Sequence, residues 1–133
     1  MRTWHTFPLR ILQGSWGIAI DLRARAMVSA EVRLDLPMAG ERVLLDVSRV
    51  QLPTVDIDQL LLGLTSMAAA VQEKEPNGYV IIEVSEVTYT PTDYQPEGMA
   101  AAMIGWVSEE FGLESPIQSV HFDKVHNKYV FSM

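Results

Sequence analysis

The chain contains no cysteine. Disulfides, thiolate nucleophiles and cysteine-ligated zinc are therefore excluded together. It also has no G-x-x-x-x-G-K-[S/T] phosphate loop and no G-x-S-x-G nucleophile elbow, so neither nucleotide cradling of that type nor α/β-hydrolase chemistry is expected. Long apolar runs are missing too. The opening "MRTWHTFPLRILQGSWGIAI" is interrupted by Thr3, His5, Thr6, Pro8, Arg10 and Gln13, and it reads as neither a signal peptide nor a membrane span. The expectation is a cytoplasmic protein without membrane contact. There is no internal repeat, low-complexity tract or Gly/Ser linker, and 133 residues fit one domain covering residues 1–133. Hydrophobic residues make up 48% of the chain, enough for an ordinary core without a metal or disulfide staple.

Basic residues are scarce in one part of the chain. Residues 1–50 hold seven Lys/Arg and five Asp/Glu, a balance of +2; residues 51–133 hold three and twelve, a balance of -9. Nucleic-acid binding draws on clustered Lys and Arg that displace counterions from phosphates. The second part lacks such a cluster, so no nucleic-acid partner is expected. An acidic surface of this kind either keeps a protein soluble or meets a basic partner.

From Met27 the pattern alternates. Val28, Ala30, Val32, Leu34 and Leu36 fall on one face, and Ser29, Glu31, Arg33 and Asp35 on the other. That predicts a half-buried strand. "PMAGE" supplies turn residues, and Arg42–Leu52 is expected to return as the partner strand, with a slip near Ser48–Arg49 marking a bulge or an edge. Residues 9–24 suggest one or two further strands. Leu60, Leu61, Leu64, Met67, Ala68 and Val71 then lie at helical spacing. Thr54 or Asp56 is expected to cap this helix, which ends near Lys74, before Pro76 and Gly78. "GYVIIEVSEVTYT" is a strand by its β-branched content. A second helix starts at Pro96 and runs to about Phe111, with Gly112 as its left-handed stop. The tail forms two short strands around a turn near His126–Asn127.

The predicted order is β-β-β-α-β-α-β-β. It describes an α+β two-layer sandwich, with a mostly antiparallel sheet and both helices on one face. Val28, Val32, Leu34, Leu64, Met67, Val71, Ile82, Val84, Ile104 and Val107 are the expected core.

Several features resemble domain four of translation elongation factor G, a fold with a left-handed βαβ unit that also occurs in a small-subunit ribosomal protein and in sugar kinases related to galactokinase. The features are Gly78-Tyr79 after a helix, the strand Val80 to Thr88, Asp93 in the loop, and a helix opening Glu97-Gly98-Met99-Ala100. They cover about residues 54–112. The resemblance implies the same fold and a link to translation. The GTPase portion of that family has no counterpart here. The loop "YTPTDYQPEG" has Asp93 and Glu97 and no Lys or Arg, unlike the basic and polar tip loops with which that family approaches ribosomal RNA.

Chemistry-bearing groups are few. His121, Asp123 and His126 offer zinc ligands by type, but their spacing follows no metal motif. Asp56 and Asp58 suit a helix start. Glu83 and Glu86 fit the wet face of a strand. No catalytic residue, cofactor or metal is assigned. Gly98, Ala101, Ala102, Gly105 and Ser108 form a small-residue stripe, expected to face the first helix near Ala68, Ala69 and Ala70. A second stripe, Ala100, Met103, Ile104, Val107 and Phe111, is expected to face the sheet. The predicted partner surface is the loop from Tyr89 to Glu97, with Tyr89, Asp93, Tyr94, Glu97 and nearby Trp106. Pro91 and Pro96 stiffen it, its tyrosines offer rigid contact area, and its carboxylates suit basic residues. The leading reading is a non-enzymatic protein-binding module, such as an immunity or inhibitor protein with a basic target. The alternatives are a translation-associated accessory factor and a small-ligand binder or enzyme with a pocket between sheet and helices. Oligomeric state is left open.

Overall fold

The computed structural model describes residues 3–133. It is an α+β fold in which β1 (His5–Leu12), β2 (Gly17–Ser29), β3 (Val43–Asp46), α1 (Thr54–Lys74), β4 (Tyr79–Tyr89), α2 (Glu97–Phe111), β5 (Ser119–Asp123) and β6 (Lys128–Ser132) follow one another. The order is the predicted one. A four-stranded sheet runs β1-β2-β4-β3, and β5 and β6 pair separately. The β1–β2 and β2–β4 pairs are antiparallel, whereas β3 lies parallel to β4 across α1. Both helices cover the same face of the sheet.

β2 explains the first correction. Its even positions, Ile18, Ile20, Leu22, Ala24 and Ala26, are buried against the helices. Val28 keeps that phase, but the strand stops at Ser29, opposite Tyr79 where β4 begins. Beyond that point no neighbour supplies ladder hydrogen bonds. Residues 30–36 instead form turns, with Leu36 N–H donating to Arg33 O and Arg33 paired with Asp35. Val28, Val32 and Leu34 are exposed, Leu34 by 86%, so these three leave the expected core. The remaining seven are buried.

β3 is the second correction. It spans four residues rather than Arg42–Leu52, and its hairpin with the preceding segment shrinks to one bridge, Met38 to Leu44. The strand ends where the Asp46 carboxylate accepts bonds from Ser48 N–H and Oγ, a side-chain-stabilised turn that competes with the ladder.

Neither Thr54 nor Asp56 caps α1 through its side chain; Pro53 occupies the N-cap position. At the other end the Arg42 guanidinium donates to the carbonyls of Gln72, Glu75 and Gly78. It thereby satisfies acceptors that a helix end leaves open. α2 ends at Gly112 with φ 64°, in the left-handed region that glycine tolerates.

Gly98 and Gly105 of the small-residue stripe of α2 face the strands, not α1. A Cβ on Gly98 would meet Ile18 and Ile20, and one on Gly105 would strike the Phe7 ring. The close approach of the two helices lies at Gly63 and Ala100 instead, where an added Cβ would sit 2.5 Å from Ala100 O. Ala100 therefore faces α1 rather than the sheet.

Candidate functional site

The β4–α2 connection is built around a buried carboxylate. Asp56, in the first turn of α1, is 1% exposed. Its Oδ2 accepts the Tyr89 hydroxyl at 3.1 Å, and its Oδ1 accepts the Tyr94 hydroxyl. The two rings stack with centroids 4.2 Å apart. Asp93 accepts from Thr90 Oγ1 within the short 3-10 turn Pro91–Asp93. The tyrosines thus pin the loop to α1, and their polar tips are already used. Burial, and then the bond to Asp56, push both phenols above their ordinary range, Tyr94 furthest. A raised folded-state pKa means that this contribution to stability is complete below the ordinary tyrosine pKa of about 10 and is lost as pH rises above it. In a tyrosine-labelled NMR titration, Tyr94 should form phenolate after Tyr89, together with loss of the native signals. Ionisation of both tyrosines near pH 10 in the folded protein would contradict this arrangement.

Trp106 is not at the edge of this loop. Its side chain is fully buried, its Nε1 donates to His5 O at 3.1 Å, and the His5 ring stacks on it at 4.6 Å. His5 Nε2 is 2.9 Å from Glu110 Oε1. Trp106 is therefore a core residue that docks the start of β1 onto α2, and it offers no contact surface.

Glu97 has a different neighbourhood. It lies on the rim of an apolar cleft of about 280 Å³ on the outer side of the helix layer. Gly63, Ala100, Ala101 and Ile104 form the floor; Gln59, Leu62 and Ser66 of α1 form one wall, and Ile117, Phe131 and Met133 the other. A second cleft of about 320 Å³ opens between β1, α2 and the C-terminal hairpin, lined by Phe7, Leu9, Ile11, Gly105 and Val120 with Glu109 at its edge. The two share Ala101, Ile117 and Phe131. Both exist because the β5–β6 hairpin docks beside α2. Gln95 fixes it there, its side chain bonding both the N–H and the C=O of Tyr129 at 2.7 Å. Gln95 carries no motif, so the sequence gives no sign of this anchor.

The opposite face of the sheet is polar. Arg23, Arg25 and Arg49 stand 5.1, 4.4 and 5.5 Å from the Trp4 ring centroid, a cation–π arrangement. Glu83 sits among them, buried and paired with Arg25 at 3.2 Å and Arg49 at 3.3 Å. Glu83 is thus a satisfied structural carboxylate on the face foreseen for it. At the hairpin turn, His126 Nδ1 is 2.7 Å from Asp123 Oδ2 and holds that carboxyl below its usual range. His121 is exposed on β5. Among the described residues no three His, Asp or Glu side chains converge as a metal site. Comparison of the chain with models of known protein families, with curated proteins and with solved structures finds no match.

Proposed function

We propose that this protein is a non-enzymatic binding module that meets a basic protein partner through its helix layer, an arrangement suited to an immunity protein or inhibitor. One observation carries the reading: two adjoining apolar clefts with carboxylates at their rims, Glu97 and Glu109, and no Lys or Arg among their lining residues. Between Val50 and Asp123 the only Lys or Arg is Lys74. Apolar surface supplies affinity, and a rim of one sign selects a partner of the opposite sign and speeds its approach. Of the residues expected at the partner surface, Glu97 belongs to this site. Tyr89, Asp93 and Tyr94 shape the loop that precedes it.

The translation-linked reading draws on the element order and on the parallel β3–β4 pair, and fold alone does not carry function. The second cleft suits an apolar small ligand, but its acidic edge and its continuity with the first cleft favour a larger partner.

A photo-crosslinking side chain at Leu62 should capture one specific protein from native lysate, and that protein should be basic. The same group at Leu12, an exposed leucine that lines neither cleft, should not. Equal capture at both positions, or capture of acidic proteins, would overturn the reading.

A further inference from the structure

We infer that the first cleft takes an extended segment of the partner, which adds to the outer edge of β6 as a third strand. The inference rests on the protein-binding reading above and specifies the form of the contact. In an antiparallel pair, the peptide groups of alternate residues point to opposite edges of a strand. Tyr129 points away from β5, since its N–H and C=O both bond to the Gln95 side chain at 2.7 Å. Ser132 points toward β5, where its C=O accepts the Gln118 N–H at 2.7 Å. Phe131 therefore shares the phase of Tyr129, and its N–H and C=O face away from β5. Among the described residues β5 is the only strand beside β6, so no ladder reaches these groups. Phe131, with Met133 beyond it, forms the wall of the cleft opposite α1.

That placement selects the occupant. A partner that covers the cleft takes the Phe131 peptide groups out of water, and left without partners they would oppose binding. An added strand supplies one donor and one acceptor at the spacing required. Gln95 already does this for Tyr129, because its side-chain amide offers the same pair as a peptide group. It also fills the edge there, so the added strand begins beside Phe131 and is short. A helix has its own peptide groups bonded internally and would leave this edge unsatisfied. The edges of the larger sheet are less open. β1 carries Pro8, which has no N–H to offer. β3 is bridged by Met38, and Ala39 N–H and Pro37 O bond to Val43 and Leu45.

Side chains and charge define the segment. Tyr129 is buried, and Phe131 and Met133, two and four residues on, lie on the same face of the hairpin. Alternate residues of the added strand would share that face and meet Ala101, Ile104 and Leu62, which is 58% exposed. These contacts call for apolar side chains. Glu97 at the rim, with no Lys or Arg in the lining, calls for Lys or Arg between them. A second copy of this chain is a poor occupant. With Phe131 opposite Phe131 in an antiparallel pair, Met133 would meet Tyr129, whose groups Gln95 holds, and each copy would bring its own Glu97 to the cleft.

The test uses the full, nitrogen-15-labelled chain and an end-blocked peptide of roughly seven residues in which Lys and Val alternate. Two comparison peptides are the same sequence N-methylated at every central residue, which removes donors from both of its edges, and the same sequence with Glu in place of Lys. NMR titration should show the Lys peptide binding at least about tenfold more tightly than either. In its complex the Phe131 amide should exchange with solvent at least about tenfold more slowly than in the free chain. The amides of Val120 and Phe122, which lie opposite Phe131 and Tyr129 and face the outer edge of β5, should be unchanged. If the N-methylated peptide binds as well as its parent, the strand form is wrong while a basic partner stands. If the Glu peptide binds as well, the basic-partner reading falls and takes this inference with it. Absence of binding by the Lys peptide, or slowing at Val120 and Phe122 in place of Phe131, overturns the inference, as does a concentration-dependent dimer of the free chain that protects Phe131.

Discussion

Trp106→Ala should lower the free energy of unfolding by about 3–5 kcal/mol. The indole has no solvent exposure and belongs to the core formed by the sheet and both helices. Three losses coincide. The largest is the cavity left by a buried aromatic, which neighbouring rigid elements fill only in part. The His5 carbonyl loses the Nε1–H donor 3.1 Å away, and the His5 ring loses the surface on which it stacks. A loss of this size is a large share of the roughly 5–15 kcal/mol by which small domains are stable. Trp106→Phe keeps a ring in place and removes the donor, so it should cost less, about 1–2 kcal/mol. Urea denaturation followed by far-ultraviolet circular dichroism would measure both as shifts in midpoint at unchanged slope. Trp106→Ala within about 1 kcal/mol of wild type would mean that the indole is not the core residue described.

What the sequence shows clearly follows from locality. α1 and α2 are written in a 3.6-residue period, and Pro96 and Gly112 mark the ends of α2 within one or two residues. β4 is a β-branched run beside Gly78, whose φ of 111° sets the turn before it. Where an element depends on its neighbours, the pattern misleads. The alternation of β2 continues in phase from Ile18 to Leu36, but only the stretch opposite β4 and β1 is a strand. β3 is buried along its whole length, so Val43-Leu44-Leu45-Asp46 shows no two-residue period and its limits are hidden. Trp106 was expected at a surface because tryptophan is common at interfaces. What places it inside is His5, 101 residues earlier in the chain, and no local signal reports that contact. The groove beside α2 is equally remote from local pattern, since it exists only once the hairpin has docked.

The uneven charge of the two parts of the chain has a structural counterpart. Arg10, Arg23, Arg25 and Arg49 gather on the open sheet face, where Asp21 and Glu83 pair with three of them. The carboxylates of the helix layer have Lys74 as their only cation within α1 and α2. On the sheet face Asp21 and Glu83 are thus paired with arginines, and on the helix layer His5 sits beside Glu110 while Glu97 and Glu109 line the clefts. Under the proposed function, Glu97 and Glu109 at the clefts would draw a basic partner to the helices.

Tyr129→Ala should be nearly as costly as loss of Trp106, about 3–5 kcal/mol, and it should act on the hairpin first. The ring is 1% exposed and makes edge contacts with Trp16 at 5.2 Å and Phe122 at 5.0 Å. Its hydroxyl accepts the N–H groups of Gln13 and Gly14 at 2.8 and 3.0 Å and donates to Trp16 O at 2.5 Å. One side chain therefore fastens β6 to the β1–β2 turn. Tyr129→Phe keeps the ring contacts. Gln13 lies at the surface, where water can replace the lost acceptor, so the phenylalanine variant should cost about 1–2 kcal/mol. In the alanine variant only the backbone bonds to Gln95 remain at this residue, and a two-stranded hairpin has little stability of its own. Hydrogen exchange should then show Ser119–Asp123 and Lys128–Ser132 losing protection while α1 and β4 keep theirs. Because Phe131 and Met133 form a wall of the first cleft, crosslinking from Leu62 should be lost in Tyr129→Ala and kept in Tyr129→Phe. Equal cost for the two variants would place the anchor in the hydroxyl alone; full protection of the hairpin in Tyr129→Ala would mean that it is held elsewhere.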